Sequence, residues 1–311
     1  MDMMNPAKGI LFKLLAALCA TLMAASVKGL NGEIPTGEVV FFRSVGALLP
    51  LGIWLGLQGN LVALTRTKHF SGHIVRSISG TGGMFFGYLA LAYLPLADAT
   101  ALSYAAPLFT VILAAVLLGE VVRVYRWTSV AVGFTGVLVM LAPHLDIFKA
   151  DAIGMGLLLG SAAGLVAAFF SAVSSVQIRH LARTEQPGAI VLYFSLVTTV
   201  IGLATAVFGW TMPSATQLCL LLAAGISGGM TQILITLSLR HAQASLLAPF
   251  EYSTLIWSVV IGYLAFGQLP VATTIAGGII VAAAGLFAVW RESRLKRSLQ
   301  MAETALATAE A

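Results

Sequence analysis

Eight residues of the sequence carry polar or aromatic chemistry inside strongly apolar surroundings: Glu251, Tyr252, Trp257, Arg43, Tyr104, Gln232, Thr81 and Tyr88. Each falls in a run of about 20 predominantly apolar residues, the length that crosses a bilayer as a helix. A charge in hydrocarbon costs at least about 2.5–3.5 kcal/mol unless it is partnered, so Glu251 and Arg43 need a reason to be there. Glu251 sits roughly 10 Å from the inner end of its run at 1.5 Å per residue. Thr254 at i+3 and Ser258 at i+7 share its helical face, and Tyr252 and Trp257 flank it. Its carboxylate is expected to hold a substrate or carry a proton, the alternative being a structural bond to a neighbouring helix. Arg43 lies about 9 Å from the outer end of its run. It can contact substrate, pair with an acid on another helix, or snorkel to the surface; Glu38, five residues earlier, is poorly spaced to pair with it. Gln232 with Thr236, and Thr81 with Tyr88, are candidates to line a cavity. Lys28 reads as an anchor at the outer interface and Asp98 as a helix cap. Pro107 and Pro249 interrupt their runs and free backbone carbonyls.

The elements that must position these groups are transmembrane helices. Of 311 residues, 59% are apolar and 9% charged, against roughly 45–50% and about 25% in a soluble domain. Ten candidate spans result, at about 9–29, 37–57, 73–94, 97–118, 125–142, 153–177, 188–210, 217–238, 244–266 and 270–290. The first resembles a secretory signal peptide by its small-residue end, but nine further spans follow, and the repeat described below needs it retained. An inside N-terminus puts Lys8, Lys13, Arg66, Lys68, Arg76 and nine further bases, ending with Arg297, on the cytoplasmic side; Lys149 alone is a clear outside base. That asymmetry predicts both termini inside. The scattered bases that make up the net charge of +5 are no nucleic-acid footprint, and Cys19 and Cys219 suggest neither a disulfide nor a metal site. No phosphate loop, HExxH or His/Cys cluster appears, and His69, His73, His144, His180 and His241 read as interfacial residues. The tail after Arg291 reads as a solvated or loosely helical end.

The halves echo each other. Ser79-Gly80-Thr81-Gly82-Gly83-Met84 matches Gly225-Ile226-Ser227-Gly228-Gly229-Met230 at an offset of 146. Gly37 and Ser44 match Gly188 and Ser195 at 151, and Gly119-Glu120 matches Gly267-Gln268 at 148. Arg43 aligns with Phe194, so its charge belongs to one half. Lys28 aligns with Gln177. A five-helix repeat has an odd number of crossings, so its second copy is inverted, as in many secondary transporters. Two units are therefore expected, 1–145 and 146–290, with a cytoplasmic tail 291–311. Small residues spaced by four (Gly156, Gly160 and Gly164; Gly83 and Gly87; Gly225 and Gly229) predict close helix crossings, or surfaces on which the halves rock.

Leu96-Ala97-Asp98-Ala99-Thr100-Ala101-Leu102, Pro107-Leu108-Phe109 and Leu117-Leu118-Gly119-Glu120, with Ala242 to Tyr252 and Phe266-Gly267-Gln268 in the second half, resemble the EamA-type members of the drug/metabolite transporter superfamily. Gln268 departs from that pattern, where the family usually has Glu. The segment around Glu251 is also similar to that of bacterial riboflavin importers. The resemblance implies an alternating-access carrier in a bacterial cytoplasmic membrane, with substrate held near the midplane by spans one, three, four, six, eight and nine. It also implies exporters in most cases and importers in some. Riboflavin is the candidate cargo, with amino acids and other metabolites or drugs as the alternatives and a membrane-embedded enzyme as the rival class. Expected partners are a small-molecule substrate and the lipid bilayer, with no cofactor, metal or nucleic acid, and with a proton as the candidate coupling ion.

Overall fold

A computed structural model describes residues 5–57, 67, 69–118, 124–142, 152–182, 184–242 and 244–309. Helices dominate: α1 (Pro6–Lys28), α2 (Thr36–Leu57), α3 (Phe70–Tyr93), α4 (Leu96–Ser103), α5 (Ala105–Leu118), α6 (Val124–Leu141), α7 (Ala152–Leu181), α8 (Pro187–Ala204), α9 (Ala215–His241), α10 (Ala244–Leu247), α11 (Ser253–Phe266) and α12 (Ala272–Ala309). No strand occurs among the described residues. Local chemistry sets several ends. The Asn5 side chain accepts from the Lys8 amide ahead of Pro6, and Ser214 and Gln217 form a reciprocal capping box at the start of α9, each satisfying amides that a helix start leaves free. Gly267, at φ +63°, closes α11 in the left-handed conformation that glycine adopts without penalty.

Among the described residues, seven helical stretches are long and apolar enough to cross a membrane: Pro6–Lys28, Thr36–Leu57, Leu96–Leu113, Met155–Ile178, Gly188–Phe208, Ala215–His241 and Ala272–Arg291. The other three expected spans fall short for separate reasons. Phe70–Tyr93 carries His73, Arg76, three serines after position 70 and Thr81, and is too polar. The described apolar part of the fifth, Trp127–Leu141, is short. The ninth is broken: a 3-10 turn, Ala248–Tyr252, separates α10 from a 14-residue α11. Of the two expectations for the tail the helical one holds, since α12 continues unbroken to Ala309.

Large apolar side chains cover the outside of the bundle, among them Leu49, Ile53, Val200 and Leu264, each more than half exposed. Water would not tolerate so much apolar surface, whereas lipid favours it. The chain is a multi-pass membrane protein. Inside, α3 packs along α7 and α1 along α9; α2 contacts both α8 and α9, and α6 lies against α12. One cluster joins Leu94, Leu102, Tyr104, Met140 and Val281, and another joins Val27, Val40, Leu91, Leu96 and Leu221. The tightest crossings use glycine. A Cβ on Gly46 of α2 would stand 2.9 Å from the Cα of Gly225 of α9, closer than any side chain allows. The glycines spaced by four mostly mark contacts too: Gly160 fits against Tyr93 and Leu94, Gly164 against Leu102, and Gly229 against Pro50 and Ala47.

Candidate substrate-binding site

Among the described residues, two polar clusters of the interior hold six of the eight site residues expected from the sequence: Glu251, Tyr252 and Tyr104 in one, Arg43, Thr81 and Tyr88 in the other. The first gathers where α4 gives way to α5 and α10 gives way to α11. Tyr104 ends α4, and its ring meets that of Tyr252 edge-on, with centroids 5.1 Å apart. The Tyr104 hydroxyl shares a hydrogen bond with Thr254 Oγ1 and lies 3.5 Å from the Tyr252 carbonyl. Pro249 lies in the 3-10 turn and cannot donate to the helical ladder; further along the turn, side chains add to the backbone bonds, Ser253 donating to Phe250 O and Thr254 to Glu251 O. From α1, Thr21 reaches the Thr254 carbonyl at 3.5 Å, and Lys13 Nζ donates to Glu251 Oε2 in an ion pair. The pair is lopsided: the Lys13 side chain is 12% exposed and that of Glu251 54%.

The second cluster is built on α2, α3 and α8. Arg43 of α2 is buried, with Nη1 3.8 Å from the Met84 sulfur. The glycine at 228 makes its room, since a Cβ there would meet Arg43 Nε at 2.8 Å and the Met23 sulfur at 3.0 Å. Arg76 of α3 is buried too, its guanidinium lying face-on 3.6 Å from the Phe194 ring centre. Gly80, one turn on, leaves space for both Arg76 and Phe194. Arg76, Met84 and Tyr88 share a face of α3 by their four-residue steps, and Arg43 meets that face at Met84, which brings the two guanidinium groups and the buried Tyr88 hydroxyl within electrostatic reach of one another. Thr81 and Thr198 hydrogen-bond at 3.1 Å beside them.

Several sequence expectations change here. Glu251 is in the 3-10 turn, so it shares no continuous helical face with Ser258; Ser258 is fully buried and bonded to Leu255 O. Arg43 does not snorkel, and Glu38 is engaged elsewhere, accepting from the Thr211 amide at 3.1 Å. Arg76, counted by position as a loop base, is inside the bundle. Lys28 is no surface anchor: it is buried and donates to the carbonyls of Leu91 and Leu94 at 3.2 and 2.7 Å, at the negative end of α3. Asp98 is no cap, because Pro95 holds that position without a side-chain bond; Asp98 is buried in the first turn of α4, within the field of Lys28. His73 is likewise buried, stacked on Tyr193 and 3.9 Å from Glu185. Trp257 has an unpartnered indole nitrogen, and Gln232 accepts through its backbone from Thr236 at 2.9 Å. Among the described residues, neither is hydrogen-bonded to either cluster. His144, Lys149, Gly119 and Glu120 lie outside the described residues. Lys13 and Arg76 were missed as site residues because a base near a span end is ordinarily assigned to the interface; their depth, about a turn and a half or more inside α1 and α3, is the signal that marks them.

The model of the EamA-like transporter family matches residues 7–142. The chain is 29% identical over 289 residues to the S-adenosylmethionine uptake transporter of Rickettsia prowazekii (strain Madrid E), covering 92% of this chain and 94% of that one. It is 31% identical over 279 residues to the pseudopaline exporter CntI of Pseudomonas aeruginosa (strain UCBPP-PA14), covering 89% and 94%. A riboflavin transporter of Vibrio cholerae serotype O1 shares 29% over 306 residues, covering 96% and 98%. A solved crystal structure, 20% identical, superposes with a TM-score of 0.63 over 93% of this chain and 99% of its own, which extends the likeness to the fold. Membrane helices, a broken-helix polar core and relatives matched nearly end to end agree: the chain belongs to the EamA-like transporter family.

Proposed function

We propose that this transporter is a secondary carrier of ten spans, both termini cytoplasmic, built as two inverted five-helix units over 1–145 and 146–290, and that it moves a small metabolite by alternating access. The observation that carries the reading is the contact of Tyr104 with Tyr252, 148 positions apart. That is the offset that relates Gly119 to Gly267, and both tyrosines stand at breaks in corresponding spans. Contact between equivalent residues is what a pseudo-twofold axis between such units would produce, and broken helices at such an axis are where carriers of this build bind substrate. The packing pairs support the same symmetry, with α1 on α9 answering α7 on α3, and α2 on α8 answering itself.

In this reading Glu251 and Lys13 gate the inner half of the path. Protonation of Glu251 or capture of a cationic group would release Lys13, and that exchange couples cargo to a proton. Tyr104, Tyr252 and Trp257 offer aromatic faces to a planar ring. Riboflavin and S-adenosylmethionine both carry one, and relatives are named for each. Riboflavin is the first cargo to test, with S-adenosylmethionine beside it. Export is the second reading, because the 31%-identical relative is an exporter. The test is counterflow in proteoliposomes: labelled riboflavin or S-adenosylmethionine outside, unlabelled compound inside, with and without an imposed proton gradient. Accumulation abolished by Glu251→Gln supports the reading. Accumulation unchanged by Glu251→Gln and Lys13→Met in correctly inserted protein removes the gate.

A further inference from the structure

Among the described residues, the buried arginines of the second cluster form no ion pair with an acid. Every described acid between Glu33 and Glu251 has a contact elsewhere, Glu38 through one of its two oxygens. Glu33 accepts from Gln217, Glu38 from the Thr211 amide, and Glu185 from Thr67; Asp98 lies beside Lys28, and Glu251 pairs with Lys13. Among the described residues, Arg43 Nε and Arg76 Nε and Nη1 have no hydrogen-bond partner, although both side chains are more than nine-tenths buried. The Tyr88 hydroxyl beside Arg43 is unpartnered as well. Phe194 covers the face of the Arg76 guanidinium, which a ring does well, but it leaves the in-plane N–H donors unmet. Two like charges held together in the membrane interior, with donors still unused, are an arrangement that stability alone would not retain.

We propose that Arg43 and Arg76, with the Tyr88 hydroxyl, bind a carboxylate group of the transported metabolite. A guanidinium presents its donors in a planar fork that matches a carboxylate edge, and two such forks offset the negative charge that the cargo brings into the bundle. The flanking sulfurs of Met84 and Met23 leave a soft, adaptable wall on which the adjoining carbon skeleton lies. This assignment rests on the carrier reading and narrows it: a cargo bearing a carboxylate fits the bundle better than neutral riboflavin.

The test is thermal melting of the purified full chain in phosphatidylcholine nanodiscs, with benzoate and benzamide as probes of equal shape and different charge. Benzoate is expected to raise the melting midpoint with concentration, as any ligand of the folded state does, and benzamide is not. Arg43→Gln and Arg76→Gln are each expected to erase the benzoate shift. Should these unfold, Met84→Glu replaces them: its internal carboxylate, placed against Arg43, is expected to raise the midpoint without ligand and to block benzoate. Equal responses to benzoate and benzamide overturn the proposal, as does a benzoate shift that survives in Met84→Glu. Stabilisation by phosphatidylglycerol in place of phosphatidylcholine, with none by benzoate, assigns the site to a lipid headgroup and also overturns it. The melting experiment requires no transport. A benzoate shift without counterflow therefore keeps the anion site and rejects the carrier reading, and counterflow without the shift does the reverse.

Discussion

The two polar clusters solve the problem of charge in a membrane in opposite ways. Around Tyr104 and Tyr252 the charges cancel: Lys13 meets Glu251, and hydroxyl groups meet carbonyls of the 3-10 turn. Around Arg43 and Arg76 they add, with an aromatic face and a thioether in place of an acid. A neutral cluster is complete without a ligand and opens only when something competes for one partner. A cluster of like charges is incomplete until an anion arrives. In the proposed repeat the difference has a counterpart, since Arg43 would answer to Phe194, and Arg76 lies against that same Phe194.

The largest effect is expected where a scaffold contact serves only one cluster. Gly225→Leu drives a side chain into Gly46 and displaces α2, which carries Arg43, while α11 is not part of that crossing. Overpacking of this kind costs about 1–3 kcal/mol or more. A clear loss of melting temperature is expected, together with loss of any response to benzoate. Next, Lys13→Glu opposes two acids and should abolish counterflow, while Lys13→Glu with Glu251→Lys restores the pair with reversed polarity and recovers part of it. If the double variant is as inactive as the single one, the pair is not the functional unit. Arg43→Met is expected to have the opposite sign on stability. Removal of an uncompensated charge should raise the melting midpoint while transport of a carboxylate cargo falls about 10- to 100-fold, the equivalent of one or two charge-assisted hydrogen bonds. A fall in both would make Arg43 structural and erase the contrast between the clusters. The smallest change is expected from Tyr104→Phe, which deletes one hydroxyl bond of about 1 kcal/mol and keeps the ring contact with Tyr252.

Much of the helical order was legible in composition alone, because lipid demands long apolar runs and charge asymmetry punctuates them. The sequence also marked Glu251, Tyr252 and Tyr104, and its prolines lie at or near the breaks that bring the tyrosines together. What escaped was depth and partnership. Lys13 and Glu251 are 238 positions apart, and no local pattern announces such a pair. Arg76 and Lys28 looked like interfacial bases because counting by position cannot tell a helix end at the membrane surface from one tucked beneath a neighbour. The helical face drawn through Glu251, Thr254 and Ser258 assumed 3.6 residues per turn across a segment that winds more tightly, and it dissolved there.

The last helix extends these differences to the exterior. At 1.5 Å per residue, the 38 residues of α12 make a rod about 57 Å long, where a hydrocarbon core of about 30 Å suffices to contain its apolar part. Because α12 lies along α6 and touches the 3-10 turn that bears Glu251, any tilt of the packed core is delivered to the tip as displacement multiplied by lever length. The protein thus carries its own pointer: a spin label near Ala305 converts a rotation of roughly ten degrees into about 10 Å of travel over that length, and reads from outside the membrane whether the proposed inner gate moves.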